Sequence, residues 1–65
     1  MVLLFNKSAA IVIVTYKPTG RSFILGPGEK KILNYSDLGD GVSSAELSEF
    51  AYDSKAVYID VNYSG

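Results

Sequence analysis

The stretch Ala10-Ile11-Val12-Ile13-Val14-Thr15-Tyr16-Lys17-Pro18-Thr19-Gly20-Arg21-Ser22-Phe23-Ile24-Leu25 decides the fold. Its β-branched and aromatic residues fall into two short runs, which suits pleated strands. Between the runs Pro18 presets φ for the start of a tight turn, and Gly20 accepts the left-handed conformation at its end. The expectation is a hairpin whose return strand covers residues 22–25. Immediately beyond, Gly26-Pro27-Gly28 puts proline and glycine at the two central positions of a type II turn, so residues 29–33 are expected to return as a further strand.

Working outward towards the N-terminus, residues 2–5 form another apolar run, separated from the first by Asn6-Lys7-Ser8, which reads as a turn or bulge. Neither run approaches the ~20 residues that span a bilayer, and Lys7 lies between them, so strands are expected here in preference to a leader or a membrane segment.

Towards the C-terminus the pattern first dissolves. Residues 34–41 are Asn, Ser, Asp and Gly, with Tyr35 and Leu38 as apolar pins of a surface loop. Ser43 and Glu46 then have the spacing of a capping box, with Val42 and Leu47 as its hydrophobic staple. Leu47, Phe50 and Ala51 would share one face of a short helix of two to three turns. From residue 56 the sequence alternates, with Val57, Ile59, Val61 and Tyr63 on one side and Ala56, Tyr58, Asp60 and Asn62 on the other, the signature of a half-exposed strand.

The expected fold is therefore mainly β (α+β) in one domain, residues 1–65. It is a small antiparallel barrel or sandwich of about five strands, with one short helix before the last strand. A chain of 65 residues buries little of its surface, and this one has no cysteine to staple it and no histidine to share a structural metal. Its hydrophobic content of 48% is generous, and residues 11–14 are apolar towards both faces of their strand. So small a chain can rarely cover both faces of a sheet by itself. Another protein surface, from the same or a different chain, is expected over one of them.

Chemistry is sparse. Without histidine or cysteine the usual nucleophile and base pairs are missing. Asp37 and Asp40 sit beside glycines, where aspartate caps turns. The Asp spacing in Asp37-Leu38-Gly39-Asp40-Gly41 does not fit a calcium loop, and Gly26-Pro27-Gly28-Glu29-Lys30-Lys31 leads into a strand where a phosphate loop needs a helix. No enzyme activity, cofactor or metal is expected. A net charge of -1 gives no basic field for nucleic acid or an anionic membrane. Lys17 and Arg21 should lie on the order of 15 Å from Lys30 and Lys31, at the other end of one strand.

Tyrosine is the unusual component, with five copies and no tryptophan. A ring with a polar tip tolerates both solvent and burial, which suits a contact surface. The candidate contact residues are Ile11, Ile13, Tyr16, Tyr58 and Tyr63.

The segment from Asn6-Lys7-Ser8 to Val14, the turn Phe23-Ile24-Leu25-Gly26-Pro27-Gly28-Glu29 and the late helix-strand pair resemble small structural proteins of tailed bacteriophages. That resemblance implies a noncatalytic virion subunit of a capsid decoration, neck or tail, acting as a homo-oligomer or within a larger assembly. It implies location in the virion; outside that setting the chain is expected in the cytoplasm. The alternative is a small inhibitor that binds a host enzyme or defence complex through an acidic face of Glu46, Glu49 and Asp53.

Overall fold

In the computed structural model, which describes residues Met1–Gly65, the apolar runs become six strands: β1 (Val2–Asn6), β2 (Val12–Tyr16), β3 (Arg21–Leu25), β4 (Lys30–Leu33), β5 (Phe50–Ala51) and β6 (Val57–Asp60). They form two three-stranded sheets, ordered β4-β1-β6 and β3-β2-β5, with every pairing antiparallel. The class is mainly β, and no closed barrel forms. Val2 and Leu4 of β1, Val14 and Tyr16 of β2, Leu25, Leu33, Val57 and Ile59 point into one shared core. Period-two burial is clearest in β1, where Val2, Leu4 and Asn6 are buried while Leu3 and Phe5 stay half-covered.

The first hairpin forms as expected. Tyr16 pairs with Arg21, the Gly20 N–H donates to the Tyr16 carbonyl at 2.8 Å, and Gly20 has φ +76°. The second turn also has the expected local form, with φ +72° at Gly28 and the Glu29 N–H donating to the Gly26 carbonyl at 3.1 Å. Its role differs, however: it delivers the chain to β4, which pairs with β1 in the opposite sheet. It is a corner between sheets, not a hairpin. The corner is tied down by Asn6, fully buried at the end of β1. Its Nδ2 donates to the carbonyls of Ala10, Leu25 and Gly26 at 2.7, 3.2 and 2.8 Å, and its Oδ1 accepts from the Ser8 N–H and hydroxyl at 2.9 and 2.7 Å. The Asn6 N–H also donates to the Glu29 carbonyl at 2.9 Å, so one residue fastens β1 to both sides of the corner.

The expected helix does not form. A 3-10 turn over Leu47–Glu49 runs directly into β5. Leu47, intended for the buried side of the helix, is 47% exposed, whereas Ala45 and Phe50 are buried. A separation of five does not keep two residues on one helical face. Phe50 instead pairs with Tyr16 across β2, their ring centroids 5.2 Å apart, and this packing outweighs the local capping signal. The local bond also lies three residues later than expected: the Glu46 N–H donates to Glu49 Oε1 at 2.8 Å.

The loop after β4 is pinned where the sequence suggests. Leu38 is fully buried at the end of a 3-10 turn (Tyr35–Leu38), and the Tyr35 hydroxyl donates to the Val61 carbonyl at 2.8 Å. Gly39, at φ +153°, lies so close to Thr19 that an added Cβ would stand 2.5 Å from its Cγ2. In β6 the expected alternation holds for Val57–Asp60, with Val57 and Ile59 inside and Tyr58 outside. The strand stops there because Asp60 closes a turn, accepting from the Asn62 N–H at 3.0 Å.

Candidate interaction surface

The register of the first hairpin sets Ile13 directly opposite Ile24, on the face of β3-β2-β5 turned away from the core. They are 59% and 62% exposed, and Ile11, just ahead of β2, is 70% exposed. One rung further, Thr15 faces Ser22, and their hydroxyls share a hydrogen bond of 2.8 Å. Ala51, exposed in β5, pairs with Thr15 on its other side. None of these six residues carries a charge. Fully covering an isoleucine contributes roughly 1.5–3 kcal/mol, so covering three that are already about one-third hidden would yield about 3–6 kcal/mol. That is a useful contribution to binding, but of the same order as the freedom lost when two molecules join.

The outer face of β4-β1-β6 is different. Leu3 lies between Ile32 and Asp60, and Phe5 between Lys30 and Tyr58. Ile32 and Tyr58 are about half exposed. The Lys30 Nζ sits 5.2 Å from the Phe5 ring centroid, a cation over an aromatic face. Charge thus stands at two opposite corners of this surface.

Ile11 and Ile13 lie in one outward row with Thr15, whereas Tyr58 lies on the other sheet. Tyr63 is half-buried beyond β6, with its N–H donating to the Met1 carbonyl at 2.9 Å. Tyr16 is a correction. At 3% exposed it is a core residue against Phe50 and cannot meet a partner. The sequence could not show which side of residues 11–16 turns inward, because both sides are apolar as far as Val14. Ile24 and Ile32 were missed. Ile24 was within reach, since a four-residue turn pairing Tyr16 with Arg21 forces Ile13 opposite Ile24.

Elsewhere the acidic groups close local turns. Glu29 accepts from the Gly26 N–H, Asp37 from Asn34, Glu49 from Glu46, Asp53 from Lys55 and Asp60 from Asn62, at 2.7–3.0 Å. No three groups of metal-ligand type gather, and the surface has no pocket. The Tyr16 phenol is held above its ordinary value by burial first and then by the neighbouring Glu49 carboxylate, a consequence of its place in the core. Comparison with protein-family models, curated proteins and solved structures returns no match to this chain.

Proposed function

We propose that this protein is a noncatalytic assembly subunit that works by holding other protein against the outer face of β3-β2-β5. The observation that carries this reading is the isoleucine group Ile11, Ile13 and Ile24, each more than half exposed and set among uncharged residues within the strands. Three isoleucines held side by side by the hairpin register form a contiguous apolar group, the kind of surface a partner can cover. The phage-like turn chemistry of the sequence points to a virion component as the setting, in a decoration, neck or tail layer where many copies meet. The acidic-face inhibitor is the weaker reading, because Glu49 already accepts a backbone hydrogen bond and Asp53 closes its own turn.

The test is density-gradient sedimentation of the tagged chain in a lysate of its natural source. The chain is expected to travel with high-mass particles, and Ile24→Lys to return it to the top of the gradient. Recovery of the unaltered chain only as free small protein would sink the proposal.

A further inference from the structure

We infer that Asp40 is a site of spontaneous main-chain modification, where its side-chain carboxyl condenses with the nitrogen of Gly41 to a cyclic imide that reopens as isoaspartate. The inference is independent of which partner the protein holds.

The chemistry needs only water and the two residues. The Gly41 nitrogen attacks Cγ of Asp40, an N–C bond forms, a C–O bond of the carboxyl breaks, and one water leaves carrying the amide hydrogen. Water then opens the ring on either side. Attack at the side-chain carbonyl restores aspartate, whereas attack at the main-chain carbonyl breaks the original peptide bond and leaves the chain running through Cγ. The final mass equals the starting mass, and nothing is oxidised or reduced.

Three observations single out this residue. The first is a free carboxylate. Of the four aspartates, Asp37 accepts from the Asn34 N–H at 2.8 Å, Asp53 from the Lys55 N–H at 2.9 Å and Asp60 from the Asn62 N–H at 3.0 Å. Each of those carboxylates is held by a turn and turned away from the nitrogen that follows it. Asp40 closes no such bond and is exposed. The second is the neighbour. Leu38, Ser54 and Val61 follow the other three, while Gly41 brings no Cβ to shield its nitrogen, and its N–H donates to no main-chain carbonyl. The third is a weakly closed turn. Asp40 and Gly41 are its two central residues, Gly41 has φ +79°, and the one bond across it runs from the Val42 N–H to the Gly39 carbonyl at 3.3 Å. That is long for such a bond, so the turn opens at little cost and lets the Gly41 nitrogen swing onto Cγ.

The site lies between two anchors. Leu38 is fully buried and Gly39 is packed on Thr19 before it, and Val42 lies against the core after it. The extra main-chain carbon of isoaspartate is therefore inserted into a short exposed span whose ends are fixed.

The test is to hold the purified chain at physiological temperature and neutral pH for several weeks. Samples are then digested and mapped by electron-transfer fragmentation, which tells isoaspartate from aspartate at equal mass, with the undigested chain assayed in parallel as a methyl acceptor for isoaspartyl methyltransferase. Isoaspartate is expected to accumulate at residue 40 above its starting share, with no more than a trace at 37, 53 and 60. Asp40→Glu, which changes an exposed side chain without a partner and disfavours the ring, should lower methyl acceptance. A share at residue 40 that never leaves its starting value overturns the inference. So does equal accumulation at the other three aspartates, or methyl acceptance undiminished in Asp40→Glu.

Discussion

The two sheets use central strands of similar composition, yet their outer faces have been treated differently. On the β4-β1-β6 side, Lys30 lies over Phe5 and Asp60 stands beside Leu3, so the apolar centre is flanked by charge. Residues at the matching positions of β3-β2-β5 are isoleucine, threonine, serine and alanine. Strand lysines are a common protection against unwanted pairing, and here only one of the two faces has them. The difference teaches that exposed apolar area alone does not distinguish the two faces, since Ile32 and Tyr58 are nearly as exposed as Ile13. What separates the faces is that charge stands within the strands beside the apolar centre on one side and only beyond the strand ends, at Lys17, on the other.

The contrast depends on the two sheets being held back to back, and Asn6 is the fastening. Asn6→Leu keeps the volume but leaves the carbonyls of Ala10, Leu25 and Gly26 without their donor. Unfolding in urea should show a loss of about 3–5 kcal/mol, against a total of about 3–10 for a chain of this length. A loss below about 1 kcal/mol would mean that the sheets are joined by core packing alone.

Adjacent residues of β3 sharpen the comparison next. Leu25 is fully buried and Ile24 is not. Leu25→Ala should cost about 2–4 kcal/mol, while Ile24→Thr should stay within about 0.5. Equal losses in the two melts would show that Ile24 is covered within the single chain, and the bare face would vanish as a concept.

The smallest effect concerns the inner side of the same sheet. Because the Tyr16 phenol is raised in the folded state, the folded chain keeps its proton where the unfolded chain loses it. That contribution is fully present below the unfolded value near 10 and declines as pH rises through the higher folded one. Thermal melts should therefore fall in the alkaline range, and Tyr16→Phe should remove this part of the decline. An unchanged slope in Tyr16→Phe would assign it to other groups.

Much of this architecture is legible in the residues. Gly20 and Gly28 mark turns that need positive φ, and the alternation through Val57–Asp60 separates inside from outside without further information. The helix is not legible because Ser43 and Glu46 state a local preference, whereas Phe50 answers to Tyr16, which is remote in sequence. Asn6 is legible as the start of a turn, but a turn asparagine and a buried hub asparagine look alike until the strands around them are placed. The apolar outer face is visible in the sequence as an excess of apolar residues in 11–14. Its outward side became known only through register, which also brought in Ile24 and moved Tyr16 into the core.

The buried amide of Asn6 has an implication for how the molecule comes apart. Its two hydrogens serve carbonyls from the loop before β2, the end of β3 and the corner that follows, while the residue itself belongs to β1. Any partly opened form that releases one of these segments strands a dry polar group among the others. Fraying is thereby expected to be coupled across both sheets, and unfolding to proceed as a single all-or-none step.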